Sequence, residues 1–178
     1  MQDALWVFGY GSLIWNPGFA FAERAVARLD GWHRSFCMTS IHYRGTPEAP
    51  GLVLALDRAE GAACNGVAFR VEPGAEAETI AYLNQREMVG DGYHQERLPL
   101  ALSDGRRVEA LAYVIDRDHC QYSGSLPLED QARIIARSTG GRGPNRDYLF
   151  ATAADLHGLG IADPDLDWLA ARVREIGG

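Results

Sequence analysis

The sequence predicts a mixed α/β domain of the α+β kind, with a curled sheet, on three observations. Apolar runs of strand length, punctuated by glycine and proline, fill the first part of the chain. One helical pattern interrupts them and leads into a hairpin signal, so regular βαβ alternation is absent. Helix start and stop signals occupy the carboxy-terminal third.

Taken in order, Leu5-Trp6-Val7-Phe8 is a short apolar run ending in Gly9-Tyr10-Gly11-Ser12. It predicts a buried first strand that enters a glycine loop. Ala25 to Ser40 predicts one or two strands around Gly31-Trp32. Gly45, Pro47 and Pro50 mark His42 to Gly51 as a loop. Leu52 to Leu56 and Gly66 to Val71 predict two strands with a polar turn between them. Ala75 to Met88 predicts a helix, preceded by Pro73-Gly74 and followed by Gly90. Tyr93 to Leu102 and Arg107 to Ile115 predict a hairpin turned by Ser103-Asp104-Gly105. Pro127 begins a helix whose first turn holds Glu129 and Asp130, where acidic groups complement the helix dipole. Asn145 is read as the cap of a second helix ending at Gly158. Asp163-Pro164 starts a last helix that closes at Gly177.

The 178 residues suit one domain with a real core, spanning residues 1–178. No stretch reaches the roughly 20 apolar residues that cross a bilayer, and Met1 to Leu5 shows no signal-peptide pattern. The formal net charge of −7 repels phosphate backbones, so neither nucleic acid nor membrane is an expected partner. Cys37, Cys64 and Cys120 are odd in number, widely spaced and lack any C-x-x-C. They read as reduced thiols of a cytoplasmic protein. His33, His42, His94, His119 and His157 show no metal-ligand spacing, and no cofactor is expected.

Three places carry candidate chemistry. In Phe8-Gly9-Tyr10-Gly11-Ser12-Leu13-Ile14-Trp15, two glycines after a buried strand let backbone approach a ligand, and successive N–H groups there can gather an anion. The run lacks the G-K-[ST] of a Walker loop and the third glycine of a dinucleotide loop, so it gives little support to phosphate or dinucleotide binding and leaves a carboxylate-binding loop open. A plain tight turn explains the same glycines. The second place is Glu87. It shares a helical stripe with Ile80 and Leu83, broadened by Ala77 and Met88, in the last turn before Gly90. Burial and the helix carboxy-terminus both disfavour its charge, which would raise its pKa toward the range of a general acid/base. The plainer reading pairs Glu87 with Arg86. The third place is Gly143 to Phe150, with Tyr122-Ser123-Gly124 upstream. There Tyr148 either offers its hydroxyl to a pocket or fills the core as an aromatic. Arg44, in His42-Tyr43-Arg44-Gly45, reads as a surface loop arginine or as a ligand clamp. No G-x-S-x-G, kinase or Cys/His signature is present, so an enzyme built on this chain need not supply its own nucleophile.

In this order the three places resemble the ChaC-like γ-glutamylcyclotransferases, in their glutathione-specific branch. The likeness runs from about residue 5 to 150. It rests on Phe8 to Trp15, Tyr43-Arg44-Gly45 before Pro50-Gly51, and Gly66-Val67-Ala68-Phe69. It continues through Tyr82-Leu83-Asn84-Gln85-Arg86-Glu87 with Gly92-Tyr93, Ala110-Leu111-Ala112-Tyr113, and Asn145-Arg146-Asp147-Tyr148-Leu149. One departure is Tyr122-Ser123-Gly124-Ser125-Leu126-Pro127, where the family often reads Y-L-G-P-A-P.

The resemblance implies the family's curled, barrel-like mixed sheet flanked by helices, in a single catalytic domain. It implies cleavage of glutathione to 5-oxoproline and Cys-Gly, by attack of the substrate's own α-amine on its γ-carbonyl. Tyr10, Gly11, Ser12, Leu13 and Ile14 would hold the γ-glutamyl head, Glu87 would be the general base and acid, and Tyr148 would support the pocket. Cyclotransfer on γ-glutamyl amino acids or amines is the neighbouring alternative. A non-catalytic domain binding an acidic metabolite is the alternative of another class.

Overall fold

A computed structural model of the chain describes residues 3–87 and 92–177. These fall into two compact units. The first comprises Met1–Arg34 and Leu56–His119, the second Ser35–Ala55 and Cys120–Gly178.

In the first unit, strand β1 (Trp6–Gly9) is buried along its whole length, as an apolar run without alternation requires. It pairs antiparallel with β3 (Gly51–Val71) and parallel with β5 (Arg107–Ile115). Strands β2 (Phe21–Ser40) and β4 (Tyr93–Leu102) pair antiparallel, with Ala27 opposite Leu102. The sheet closes in the order β1-β3-β2-β4-β5, with an extra β3–β5 pairing at Leu56 and Val114. A mixed, closed sheet therefore meets the expected fold class. The β4–β5 hairpin is as the sequence predicts, from Tyr93 opposite Ile115 to Ala101 opposite Arg107. Its turn places Gly105 at φ 93°, a left-handed backbone that glycine takes without a Cβ penalty.

One expectation for the strands is corrected, and the choice between one and two strands over Ala25 to Ser40 is decided in favour of one. The stretch from Gly51 to Val71 is one strand of 21 residues, where a polar turn between two strands was expected. The second strand begins at Phe21 and runs unbroken to Ser40. Within each strand a glycine stands at positive φ, Gly31 at 85° and Gly61 at 80°, a backbone that glycine takes without a Cβ penalty. The polar residues between read as a turn because a bulge and a turn share the same glycine signal.

Helix α2 (Glu76–Glu87) begins one residue inside its expected start; Met88 and Gly90, at and beyond its expected end, lie outside the described residues. Its buried positions are Thr79 and Leu83. Leu83 joins Leu5, Val7, Leu13, Val71, Leu111 and Tyr113 in one core cluster, with Ile80 and Tyr82 packed at its edge. Ala77 is exposed, so it does not widen the apolar stripe.

In the second unit, helices α3 (Leu128–Arg137), α4 (Asn145–Gly158) and α5 (Pro164–Gly177) fill the carboxy-terminal part. Asp163 Oδ1 accepts the Leu166 N–H at 3.1 Å, so the start of α5 is capped as its sequence suggests. The expected cap at Asn145 is corrected. Asn145 is the first helical residue, fully buried, and its amide pairs with the backbone of Leu52. Oδ1 accepts the Leu52 N–H and Nδ2 donates to the Leu52 carbonyl, each at 2.8 Å. An asparagine amide mimics a peptide edge, and here it serves a strand instead of a helix end. A two-residue hairpin of β6 (Thr139–Gly140) and β7 (Gly143–Pro144) precedes α4.

Candidate active site

The first candidate place, the glycine loop, folds as a single helical turn, α1 (Ser12–Trp15), directly after β1. Gly9 lies so close to Phe69 and Leu13 that an added Cβ would sit 3.1 and 3.2 Å from them. The strand therefore turns into the loop under tight packing that a side chain would disturb. Leu13 and Ile14 anchor the turn in the core, each 6% exposed. The Ile14 N–H is committed to the Gly11 carbonyl at 3.0 Å, and Asn16 N–H to the Ser12 carbonyl at 2.8 Å. The N–H groups at the start of the turn, at Ser12 and Leu13, have no carbonyl one turn earlier in the helix to take them. Tyr10 contributes structure: it is buried, and its hydroxyl donates to the Tyr113 carbonyl at 2.7 Å.

Glu87 closes α2 in the same unit. Its side chain is 16% exposed, and Arg86 beside it is 8% exposed. Arg86 Nε stands 3.4 Å from Glu87 Oε1, so the pairing that the sequence offered as the plainer reading is present. The remainder of the Arg86 guanidinium points at the glycine loop. Nη2 donates to Ser12 Oγ at 3.0 Å. Nη1 is shared among the Asn16 carbonyl, the Pro17 carbonyl at 3.2 Å and the Tyr82 hydroxyl at 3.0 Å. One guanidinium thus joins the loop to the carboxylate. Tyr113 lines the other flank. Its hydroxyl donates to Asn84 Oδ1 at 2.8 Å, and burial, then the Glu87 charge, push its phenol above the usual tyrosine range. A phenol held protonated in this way donates a hydrogen bond and does not act as a base.

Tyr148 belongs to the second unit, where it is 7% exposed and stacks edge-on against Phe36 at 6.0 Å. Its hydroxyl accepts the Leu54 N–H at 3.2 Å. Arg44 corrects the surface-loop reading, since it is 9% exposed. Its guanidinium lies 5.7 Å over the Tyr148 ring and donates to the Pro144 carbonyl at 3.2 Å. Among the described residues no group of three or more His, Cys, Asp or Glu side chains is gathered as a metal ion would need. No helix among them is long and apolar enough to cross a membrane.

Residues 5–176 match the ChaC-like protein family, which is nearly the whole chain. The chain belongs to the ChaC-like family. The match extends past residue 150, where the motifs legible in the sequence stop. A ChaC-like relative from Escherichia coli (strain K12), the glutathione-specific γ-glutamylcyclotransferase, is 37% identical over 98% of this chain and 75% of its own length. A Homo sapiens relative, glutathione-specific γ-glutamylcyclotransferase 1, is 34% identical over 98% of this chain and 79% of its own. Among solved structures, a yeast γ-glutamyl cyclotransferase specific to glutathione superposes with a TM-score of 0.88 at 25% identity, covering 98% of this chain and 97% of that one.

Within this ChaC-like chain, Arg86 joins Ser12, in the loop from Tyr10 to Ile14 that also holds Gly11 and Leu13, to Glu87. Sequence reasoning had treated Arg86 only as a counter-ion. Its i, i+4 spacing to Tyr82 was the available signal for a shared platform. Asn84 and Tyr113 were also missed: they lie 29 positions apart, and no local pattern announces the pair. The only hint is that a buried tyrosine needs a partner for its hydroxyl.

Proposed function

We propose that this chain is a glutathione-specific γ-glutamylcyclotransferase, with one catalytic domain over residues 1–178 and Glu87 as general base and acid. The observation that carries the reading is a carboxylate and a glycine loop held on one buried guanidinium. The relatives' shared specificity supports glutathione as the small-molecule substrate.

Ser12 and Leu13 N–H groups, with Gly11 leaving room, hold the α-carboxylate of the γ-glutamyl head; Tyr10 and Ile14 shape the loop from beneath. Glu87 removes a proton from the α-ammonium, whose ordinary pKa of about 8 leaves much of it charged at neutral pH. Arg86 Nε stands 3.4 Å from the carboxylate that makes this first transfer. The freed amine attacks the γ-carbonyl carbon, a new C–N bond closes the five-membered lactam, and the bond to the cysteinyl nitrogen breaks. Glu87 returns the first proton to that nitrogen and relays to it the second, which the attacking nitrogen sheds as it becomes the lactam N–H, so 5-oxoproline leaves, Cys-Gly departs as its ammonium form and Glu87 ends ionised. The substrate brings its own nucleophile, which fits a chain without a catalytic serine or cysteine signature. Folding the glutamyl chain so that amine and carbonyl meet contributes on the order of 7–11 kcal/mol in the best intramolecular cases. Proton transfer through a placed carboxylate adds roughly 10²–10⁴-fold. Tyr148 takes the supporting role the family resemblance gives it. A cytoplasmic setting is consistent with Cys37, Cys64 and Cys120, none of which is in a disulfide.

The test is to incubate the purified protein with glutathione and identify products by mass spectrometry. The expected result is 5-oxoproline and Cys-Gly in equal amounts. Cyclisation of other γ-glutamyl compounds but not glutathione would move the substrate assignment; no cyclisation of any would overturn the reading.

A further inference from the structure

We infer that Arg86 is a positioning residue for this reaction: it fixes the spacing between the glycine loop and Glu87, and it aims the Ser12 hydroxyl at the glutamyl carboxylate. The inference rests on the cyclotransferase reading above and adds a role to a residue outside its chemistry.

Adjacent residues on a helix point about 100° apart, so an i, i+1 ion pair is no ordinary helix contact. Arg86 and Glu87 meet at the end of α2, where the same guanidinium reaches the glycine loop. The guanidinium uses all three nitrogens: Nε toward Glu87 Oε1, Nη2 toward Ser12 Oγ, and Nη1 toward the chain at Asn16 and Pro17. These partners come from α1 and the segment after it, 69 to 74 positions away in sequence. The segment also meets Tyr82 of the same helix. Gly18 has φ 75°, and a Cβ there would fall 2.1 Å from the Tyr82 hydroxyl. Tyr82 thus presses on Gly18 while its hydroxyl accepts from Arg86.

Two consequences follow. An ammonium cannot occupy this place, because a planar fork with donors on three nitrogens reaches partners in three directions at once. And since Ser12 Oγ accepts from Arg86, its own hydrogen remains to donate. That donor sits beside the Ser12 and Leu13 N–H groups, where the α-carboxylate is held.

The experiment compares kcat and KM for glutathione in Arg86→Lys, Ser12→Ala, their double variant and Glu87→Gln, with rates normalised to folded protein by circular dichroism. Misplacing a reacting group by about 1 Å costs up to roughly 100-fold. Arg86→Lys is therefore expected to lower kcat about 10–100-fold and raise KM about 3–10-fold. Ser12→Ala is expected to raise KM about 3–10-fold with kcat within about 3-fold. The double variant should show no KM increase beyond Arg86→Lys alone, since lysine has already released Ser12. A normalised kcat for Arg86→Lys within about 3-fold of wild type, with Glu87→Gln inactive, overturns the inference and leaves the cyclotransferase reading standing. So do additive KM effects in the double variant. Full activity in Glu87→Gln removes the base assignment, and the inference with it. If Arg86→Lys does not fold, Tyr82→Phe removes one Nη1 acceptor more gently: a kcat loss of about 3-fold supports the inference and an unchanged kcat overturns it.

Discussion

Arg44 in the second unit and Arg86 in the first both have largely enclosed side chains, and they are satisfied in different ways. Arg44, in the second unit, meets the Pro144 carbonyl and the Tyr148 ring, and burial holds its guanidinium below the ordinary value. Around it the backbone is packed as closely as glycine permits: a Cβ on Gly140 would lie 2.4 Å from the carbonyl carbon of Tyr43, and one on Gly51 would lie 2.3 Å from the Arg44 carbonyl oxygen. Arg86, in the first unit, meets a carboxylate, a hydroxyl, a phenol and two carbonyls. A buried arginine among carbonyls and aromatic rings holds a chain in place. On the function proposed above, an enclosed arginine that grips a carboxylate and the glycine loop sets the distance between reacting groups. Perturbation near Arg44 should therefore appear as lost stability, and perturbation near Arg86 as lost kcat.

The largest stability effect is expected at Asn145. Asn145→Ala leaves the Leu52 N–H and carbonyl unpaired in the core, which costs about 2–4 kcal/mol. Urea denaturation should show that loss, while kcat per folded molecule stays within about 3-fold of wild type. A kcat collapse at full stability would break the comparison from the second unit's side. Gly18→Ala comes next. A left-handed backbone and the clash with Tyr82 together cost about 1–3 kcal/mol. Because Tyr82 shares Nη1 of Arg86, this variant should also lose roughly 10-fold in kcat, and a pure stability loss would weaken the case for the platform. The smallest effect concerns Glu129, whose carboxyl the Arg172 guanidinium lowers from 4.5 to about 2. A depressed carboxylate stabilises the fold above its unfolded pKa and ceases to do so as pH falls through the folded one. Wild type should thus be slightly more stable than Glu129→Gln at pH 6, and the difference should vanish between about pH 4.5 and about 2. High salt should shrink it, since the pair is exposed.

What the sequence made legible follows from the range of the interactions. The β4–β5 hairpin and α2 were readable to within a residue or two, because turn glycines, alternation and helix stops act over a few positions. The third strand was cut in two on paper and the second left as one or two, because Gly61 and Gly31 carry the same local signal as a turn while the sheet carries the chain onward. Asn145 looked like a cap because the helix begins there; its true partner, Leu52, is 93 positions away. The loop from Tyr10 to Ile14 and Glu87 were visible as unusual residue types in telling places. Their connection was not, since Arg86 reaches Ser12 across 74 positions and no periodicity records that contact.

The most direct measurement is the rate of 5-oxoproline release from glutathione by Glu87→Gln beside wild type, with both proteins checked by circular dichroism. The amide keeps the shape of the carboxylate and loses its proton, so the variant should fold normally and turn over at least ~100-fold more slowly. A folded Glu87→Gln protein with wild-type turnover would contradict the assignment of Glu87 and return it to the plain role of an ion-pair partner for Arg86.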